Sequence, residues 1–358
     1  MRILLVNTYP TRVHWGVEVV VENLMAGLRR KGHKADLLCL SDAELALLQA
    51  VHFPEKFLIN MLLYAKLAQK AHQAEILHFQ AYNSYLAKFV ASPPRVVTLH
   101  GSSFGLHERV ARAMAPHRLA YSRHVIERME REGTQACDAV VAVSEAVKNE
   151  VVRGYRIPHS KISVVHNAVV VEKKKKAKND LRKELHLPPT SPLLITVTRG
   201  DYTKGTDMLV RMCERLHNDF DARLLVIGRM PAHLQRDWMI FAKPKHSEIW
   251  KYYQASDVYM NTSRYEGFGL AMLEAMGYGV PAVSFSVGIA PDAIKSGKNG
   301  YLVNRYDTLD YYDKVAKLIG NERLRTRLGR EAAKTVKKDF SSEKMVNGYL
   351  RVYRSLVA

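Results

Sequence analysis

The sequence is poor in cysteine, with only Cys39, Cys137 and Cys213 in 358 residues. Because these three lie far apart, they exclude a disulfide framework and a metal site built from cysteines, and they suit a reducing compartment. Long hydrophobic runs are also missing, since charged residues interrupt every apolar stretch well before the roughly 18–20 residues of a spanning helix. The apolar run at 3–6 is too short for a signal peptide. We therefore expect a cytoplasmic protein that does not cross a membrane.

Acidic residues are scarce relative to basic ones: 35 Asp and Glu stand against 54 Lys and Arg, a net charge of +19. The excess is divided almost equally between the two halves of the chain, so it is not a basic tail. Such a charge favours an anionic partner, which can be nucleic acid, an acidic membrane surface or a phosphorylated ligand. With 47% apolar and 25% charged residues, the composition is that of a soluble globular protein. The length predicts two domains.

The first half of the chain alternates between buried strands and helices. Short apolar runs without polar alternation are typical of strands covered on both faces of a parallel sheet. A glycine-bearing loop and an amphipathic helix over 18–31 follow the first run, and Gly32 ends that helix at a position where glycine is favoured. This strand–helix–strand order predicts βαβ units. The predicted strands are Ile3–Asn7, Ala35–Leu40, Ile76–Phe79, Arg95–Leu99, Ala139–Val143 and Ile162–Val165.

The second half repeats this order after a linker placed within 169–192, a stretch rich in lysine and proline. The sequence therefore predicts an α/β protein of two doubly wound parallel-sheet domains, 1–168 and 169–339, with a ligand cleft between them. A final amphipathic helix over 340–358 is expected to pack on the first domain. The predicted elements of the second half are strands Leu193–Thr198, Ala222–Ile227, Val258–Asn261 and Ala282–Phe285, and helices Asp207–Leu216 and Leu270–Gly277.

The segment 264–277, RYEGFGLAMLEAMG, is the most informative part of the sequence. Two glycines at the start of a helix let a ligand approach the backbone, and the first amides of the helix form an anion site. Glu274 lies ~6–9 Å along this helix at 1.5 Å per residue, which matches the span from a diphosphate to a ribose. Glu266 stands where a group beyond the phosphates would lie. The alternative is a surface Glu266 and a Glu274 paired with lysine.

Three other loops carry candidate ligand groups. The segment 198–205, TRGDYTKG, follows a strand and offers Arg199 and Lys204 to phosphate oxygens. His100 follows the strand ending at Leu99 and is placed to hydrogen-bond a ligand across the cleft. In the first loop, Gly16 would let the backbone meet a phosphate. Taken singly, each of these residues is also compatible with a purely structural role.

These motifs resemble family 4 of the nucleotide-sugar glycosyltransferases, retaining enzymes of the GT-B fold with two Rossmann-like domains. The resemblance rests on EGFGLAMLEAMGYGVPAV from Glu266, on Asn299–Val303, and on Arg199 with Lys204–Gly205. Val143-Ser144 with Lys148, the segment VHNAV at 165–169, GVE at 16–18 and RKGH at 30–33 extend it over nearly the whole chain.

The resemblance implies metal-independent transfer of a sugar from a UDP- or GDP-sugar to a glycan or lipid-linked acceptor. By this resemblance, the amides after Glu266 and the cations Arg199 and Lys204 would bind the diphosphate. Glu274 would bind the ribose, and Glu266 and His100 would bind the sugar. The residues it assigns to catalysis are Glu266, His100, Arg199 and Lys204, and those it assigns to donor binding are Gly16, Arg199, Lys204, Glu266, Gly267, Phe268, Gly269, Leu270 and Glu274.

No metal or other cofactor is expected. The Asp-x-Asp motif of Asp219 and Asp221 precedes a strand, at the end of the sheet away from the ligand, and is interpreted as a loop. Three alternatives stay open: an inverting GT-B enzyme with His14 as base, a UDP-sugar epimerase, and a basic nucleic-acid-binding protein. The last has no recognisable nucleic-acid motif in its support.

Two segments of the first domain predict peripheral binding to the anionic inner face of a membrane. Between Leu106 and Arg131, arginines alternate with apolar side chains on two helical pieces divided at Pro116. Each basic side chain near an anionic surface contributes about 1 kcal/mol, so a few contacts would hold the protein there reversibly. Residues 53–67 add apolar side chains that could enter the interface: Phe57, Leu58, Met61, Leu62, Leu63 and Tyr64. The alternative is that both segments merely cover the domain's sheet.

Overall fold

The structure is a computed structural model that describes residues 1–11, 16–50, 55–172 and 176–357. It divides into two compact units. Unit 1 comprises Met1–Ala168 and Ser342–Ala358, and unit 2 comprises Val169–Ser341. Every helix among the described residues is too short or too polar to span a bilayer.

Unit 1 is a six-stranded, fully parallel sheet with the strand order β2-β1-β3-β4-β5-β6. Its interior strands are buried on both faces, as in β3, where all five residues are buried, because helices cover both sides. The elements are β1 (Arg2–Val6), α1 (Gly16–Arg30), β2 (Lys34–Leu38), α2 (Asp42–Ala50), α3 (Glu55–Lys70), β3 (Ile76–Gln80), β4 (Arg95–Leu99), α4 (Ser103–Val110), α5 (Pro116–Tyr121), α6 (Arg128–Ala136), β5 (Ala139–Ala142), α7 (Glu145–Tyr155) and β6 (Ile162–Val164).

Unit 2 is a second six-stranded parallel sheet, with the order β12-β11-β10-β7-β8-β9. The chain first builds outward from β7 through β8 to β9, and then returns to add β10, β11 and β12 on the other side. Its elements are α8 (Lys178–Glu184), β7 (Leu193–Thr198), α9 (Thr206–Phe220), β8 (Arg223–Gly228), β9 (Met239–Ala242), α10 (Ile249–Ala255), β10 (Val258–Asn261), α11 (Leu270–Gly277), β11 (Ala282–Phe285), α12 (Ala290–Ala293), β12 (Gly300–Val303), α13 (Thr308–Ile319) and α14 (Glu322–Asp339).

The last helix, α15 (Ser342–Val357), belongs to unit 1. It packs closely on α1, since a Cβ added at Gly27 would lie 2.3 Å from Cγ2 of Val346. It begins two residues later than the predicted start at 340, because α14 continues to Asp339 and Phe340 leaves the helical conformation with φ −122°.

The GT-B fold class and the strands that the sequence predicts are confirmed, and no strand end differs by more than two residues. Two strands were not predicted. β9 has only one buried residue in four, so it lacks the continuous apolar run of an interior strand. β12 starts at a glycine and forms the opposite edge of the sheet. A strand with as few buried residues as β9 carries a weak sequence signal.

Candidate functional site

Two loops of unit 2 leave neighbouring strands at the same edge of the sheet. β7 and β10 pair in parallel, so the loop 199–205 after β7 and the loop 262–269 after β10 both lie at the carboxyl end. This is also where the strand order reverses, because β8 lies on one side of β7 and β10 on the other. Ligands of open α/β sheets bind at such a switch point.

At this point Lys204 and Glu266 form an ion pair, with Nζ 2.5 Å from Oε1. The same carboxylate oxygen accepts a hydrogen bond from the Ser263 hydroxyl at 2.9 Å. Both side chains of the pair are mostly buried, with 20% and 17% of their surfaces exposed. The structure therefore brings together two of the residues predicted to bind the donor, although 62 positions separate them in the chain.

The two loops are locked together by backbone contacts around Gly205. This glycine has φ +61°, and an added Cβ would lie 2.1 Å from the carbonyl oxygen of Thr262. The Thr262 hydroxyl donates to the carbonyl of Lys204 at 3.2 Å, and the amide of Arg264 donates to the carbonyl of Thr203 at 2.7 Å. Only glycine allows this close approach, so the position of Lys204 depends on Gly205.

Arg264 and Asp207, which the sequence analysis did not single out, strengthen the same junction. Two guanidinium nitrogens of Arg264 each lie 2.7 Å from a different Asp207 oxygen, and the guanidinium stacks 3.9 Å from the ring centroid of Tyr202. The hydrogen bonds from Arg264 hold the pKa of Asp207 below its usual value. Arg264 is buried and binds Asp207 through two nitrogens. It therefore holds the two loops together and is not placed to bind a ligand.

Arg199 is the more accessible of the two predicted phosphate ligands. Its side chain is 77% exposed and pairs with Asp201 at 3.0 Å. The Asp201 carboxylate also accepts a hydrogen bond from the backbone N–H of Thr203, at 3.0 Å. Burial tends to raise the pKa of Asp201, but the hydrogen bond from Thr203 and the charge of Arg199 hold that pKa below its usual value. An exposed ion pair of this kind is weak, so a ligand can take over the guanidinium.

The amino terminus of α11 follows directly. Gly269, with φ +108°, turns the chain into the helix, and the ring of Phe268 packs edge-on against Phe340 at 6.4 Å. A loop after β11 supports the turn, because the amide of Ile289 donates to the carbonyl of Phe268 at 2.8 Å. Gly288 in that loop is a residue that the sequence analysis missed: an added Cβ would lie 2.9 Å from Cβ of Glu266. The N–H groups at a helix start favour an anion.

Glu274 is the fifth residue of α11 and is half-buried. Its carboxylate accepts a hydrogen bond from the Tyr253 hydroxyl at 2.9 Å. Burial raises the pKa of Glu274 above its usual value, and the hydrogen bond from Tyr253 and the charge of His246 oppose that rise. Tyr253 is fully buried and stacks on Tyr278 at 6.1 Å. The sequence analysis did not single out Tyr253.

In unit 1, His100 follows β4 directly and its Nε2 lies 2.8 Å from Oε1 of Gln80. Burial lowers the pKa of His100 to about 4. Gly16 is the first residue of α1, and in the same turn the buried Glu18 accepts a hydrogen bond from Asn7 at 3.1 Å. His14, the base of the inverting alternative, lies outside the described residues.

The Asp-x-Asp motif lies just before β8, at the amino end of the unit 2 sheet. Asp219 accepts a hydrogen bond from Tyr312, and Asp221 pairs with Arg223 at 3.0 Å. Within the described ranges there is no group of three or more His, Cys, Asp or Glu side chains that could hold a metal.

The segment between 111 and 127, here called the basic segment, is helical and contains no buried residue. α5 begins at Pro116, where the sequence predicted a division. The buried His107 anchors this segment: Nε2 lies 2.8 Å from the Ser122 hydroxyl and Nδ1 lies 2.6 Å from Glu127. On α3, Met61 and Tyr64 are exposed but Leu63 is fully buried. The prediction that Leu63 enters a membrane is therefore wrong, because one face of α3 packs on the sheet.

Comparisons with known proteins identify the family of the chain. The family model for glycosyl transferases group 1 matches residues 177–335, and that for glycosyltransferase family 4 matches residues 16–173. The chain belongs to family 4 of the glycosyltransferases. It is thus an enzyme of the transferase class.

Relatives of this chain include N-acetyl-alpha-D-glucosaminyl L-malate synthase of Bacillus anthracis, which is 27% identical over 82% of this chain and 78% of the relative. A D-inositol 3-phosphate glycosyltransferase of Xylanimonas cellulosilytica is 29% identical over 63% of this chain and 58% of its own. Among solved structures, sucrose-phosphate synthase of Thermosynechococcus elongatus superposes with a TM-score of 0.80 at 16% identity, over 99% of each chain. Anabaena HepE in complex with UDP and glucose has a TM-score of 0.76 at 18% identity, over 99% of this chain and 100% of its own. At these identities the two structures establish the fold alone.

Proposed function

We propose that this enzyme is a retaining glycosyltransferase that takes its sugar from a nucleoside diphosphate sugar held by unit 2, without a metal. The observation that carries the proposal is the ion pair of Lys204 and Glu266 beside the start of α11, with Glu274 farther along the same helix. This arrangement offers a cation and helix amides to the diphosphate and carboxylates to the groups on either side of it.

The diphosphate is assigned to the start of α11, Lys204 and Arg199. In the reaction, negative charge accumulates on the leaving diphosphate as the sugar–oxygen bond breaks. Fixed cations and helix amides that are already in place stabilise this charge without the reorganisation that water would need. Lys204 is the stronger candidate, since its surroundings exclude most water whereas the Arg199 side chain is 77% exposed.

The ribose is assigned to Glu274 and the sugar to Glu266. A carboxylate accepts hydrogen bonds from hydroxyl groups, and the Tyr253 phenol already holds one Glu274 oxygen in place. His100 is assigned to a hydroxyl of the sugar. We propose that the acceptor oxygen attacks the anomeric carbon on the face from which the diphosphate leaves, that the acceptor proton passes to the departing phosphate oxygen, and that the anomeric configuration is kept.

A panel of nucleotide-sugars tests this proposal. UDP-sugars come first because the related HepE structure contains UDP and glucose. We expect turnover with one donor class, product of the donor's anomeric configuration in NMR spectra, and unchanged activity in EDTA. An inverted product would favour the alternative with His14 as base. Consumption of donor without acceptor would indicate an epimerase. Loss of activity in EDTA, restored by manganese, would overturn metal independence.

The acceptor is proposed to be a glycan or a lipid-linked molecule at an anionic membrane surface. Support comes from the basic segment, in which Arg112, Arg118 and Arg123 are exposed and no acidic residue occurs between Glu108 and Glu127. An exposed helical stretch of this composition is attracted to anionic lipid by about 1 kcal/mol per basic side chain.

Vesicle co-sedimentation tests this surface, with phosphatidylglycerol and phosphatidylcholine vesicles at low and high salt. Replacing Arg112, Arg118 and Arg123 by Gln is expected to weaken binding to the anionic vesicles by about 10²-fold, given about 1 kcal/mol per charge. The matched control replaces Arg323, Arg327 and Arg330, which are exposed on α14 of unit 2. If the wild-type protein binds neutral and anionic vesicles equally, or if the control variant loses as much binding as the test variant, the proposal is contradicted. A soluble acceptor would then be favoured.

A further inference from the structure

His100 lies at the end of a buried polar network in unit 1. His78 and Gln80 on β3 and Thr98 on β4 are almost completely buried. Nε2 of His78 lies 2.7 Å from the Thr98 hydroxyl and 3.4 Å from the Gln80 amide nitrogen. The other end of the Gln80 amide, Oε1, lies 2.8 Å from Nε2 of His100. Polar groups in such an interior are retained only when each finds a partner.

The last helix of the chain closes this network. On α15, the Tyr353 hydroxyl lies 2.7 Å from Nδ1 of His78, and the Tyr349 hydroxyl lies 3.0 Å from that of Thr98. His78 therefore has hydrogen-bond partners on both ring nitrogens. Because the Gln80 amide nitrogen can only donate, Nε2 of His78 accepts from it and from Thr98, and Nδ1 donates to Tyr353. That orientation directs the Gln80 carbonyl oxygen toward His100.

The tautomer of His100 follows from this orientation. A carbonyl oxygen only accepts hydrogen bonds, so the partner Nε2 must carry the ring proton of a neutral imidazole. Nδ1 then keeps its lone pair, and over the described part of the chain it has no hydrogen-bond partner. His100 is thereby prepared to accept a hydrogen bond from a ligand hydroxyl rather than to donate one.

We infer that Gln80 is a positioning residue for the transfer reaction, fixing His100 as an acceptor for a hydroxyl of the donor sugar. The inference rests on the proposed function, in which His100 meets the sugar. Burial supports it, since it lowers the pKa of His100 to about 4 and that of His78 to about 3. The other titratable groups of the network are the phenols of Tyr349 and Tyr353, so both imidazoles are neutral at physiological pH.

Kinetics of Gln80→Leu test the role of the amide. Leucine cannot accept the hydrogen bond from His100, so the ring is no longer held. We expect kcat to fall about tenfold, which corresponds to the loss of one buried hydrogen bond. The Kd of the nucleoside diphosphate, which binds in unit 2, should stay unchanged. In a His100→Ala background the same substitution should change nothing further. Gln135→Leu is the matched control, because the Gln135 amide donates a hydrogen bond within unit 1, to the Tyr155 carbonyl at 3.0 Å, but away from His100.

Gln80→Glu gives a signature that a structural role would not produce. It keeps an acceptor for Nε2–H but places a negative charge beside the ring, which raises the pKa of His100. Once protonated, Nδ1 can no longer accept. Activity of this variant should fall as the pH is lowered from 8 to 6, whereas the wild-type profile should not change with ionisation of His100 in that range.

Imidazole ¹H–¹⁵N spectra of the wild-type protein give an independent readout that needs no turnover. A proton on Nε2 of His100 is expected. A proton on Nδ1, or an equal effect of Gln80→Leu with and without His100, would overturn the inference. If no nucleotide-sugar is turned over by the wild type, the proposed function fails, and the spectra still decide the tautomer.

Discussion

The two units carry the same sheet architecture but handle polar groups in opposite ways. At the switch point of unit 2 the polar groups are ionised: Lys204 pairs with Glu266, and Arg264 pairs with Asp207. At the end of β3 and β4 in unit 1 they are neutral, with two imidazoles of lowered pKa joined through the amide of Gln80.

Under the proposed function, this difference indicates which part of the substrate each unit serves. Charged groups held by a scaffold stabilise a diphosphate whose charge grows during reaction. A neutral network suits hydroxyl groups, because a buried charge without an ionic partner is costly. A parallel α/β sheet therefore sets where ligand groups stand, and the side chains at the strand ends decide whether the site is electrostatic or purely hydrogen-bonding.

The largest expected effect is that of Lys204→Ala on turnover. Its ammonium acts on charge that develops in the transition state, and removing one such group costs about 10²–10³-fold in kcat. The affinity for the uncharged nucleoside should stay the same. Steady-state kinetics together with calorimetric titration measure both. Arg211→Ala serves as the control. Arg211 is an exposed arginine on α9 that pairs with Asp207 and lies outside the loop 199–205. A loss of nucleoside binding equal to the loss of kcat would contradict the assignment.

As the pH is lowered, unit 1 should lose folding stability before unit 2 does. The unfolded state takes up protons at the ordinary histidine pKa of 6.5, whereas His78 and His100 in the folded state resist protonation down to about 3 and 4. The stability present above pH 6.5 is thus lost as the pH falls, by about 2 kcal/mol per histidine at pH 5. Burial raises the pKa of Glu130, which offsets part of this loss.

Hydrogen exchange at pH 7.5 and pH 5, corrected for the intrinsic rates, distinguishes the two units. Peptides covering β3 and β4 should lose protection at pH 5, whereas those covering β7 and β10 should not, since the pKa values of Asp207 and Asp257 in unit 2 are lowered. An equal loss of protection in both units would contradict the predicted difference between them.

Glu274→Ala is expected to weaken binding of the nucleoside diphosphate by about 10–100-fold, the value of hydrogen bonds to a charged group. Tyr253→Phe should have a smaller effect that depends on pH. Without the phenol, the raised pKa of Glu274 rises further, so the affinity is lost at a higher pH as the solution is acidified. Calorimetric titrations between pH 5 and pH 8 measure this, with Tyr252→Phe on the same helix as the control. Identical pH profiles for both variants would contradict the role of Tyr253.

The last prediction concerns the stability that the backbone junction between the two loops of unit 2 contributes. Gly205→Ala combines a left-handed backbone with a Cβ that meets Thr262, and we expect a loss of stability clearly larger than the roughly 1–2 kcal/mol of the conformation alone. Gly297 is the matched control: it has φ +77° but nothing within 4 Å of an added Cβ. Thermal unfolding measures both variants, and equal costs would show that the contact with Thr262 is unimportant.

Much of this protein is determined by local sequence. The apolar runs of the interior strands, the glycines at 267 and 269 and the carboxylates at 266 and 274 belong to one strand–loop–helix unit. Their relation is therefore set by helix geometry over a few residues. The same holds for His100 at the end of β4. β9 escaped prediction because only one of its four residues is buried.

Only the tertiary structure decided which of these groups meet. Lys204 reaches Glu266 because β7 and β10 become neighbours after the chain has passed through β8 and β9. Tyr253, which no sequence motif indicated, donates to Glu274 because α10 packs beside α11. Gln80 holds His100 because β3 pairs with β4, and α15 completes that network from the far end of the chain. Sequence periodicity reports which face of an element is buried, but the partner on that face depends on strand order and on the return of distant segments.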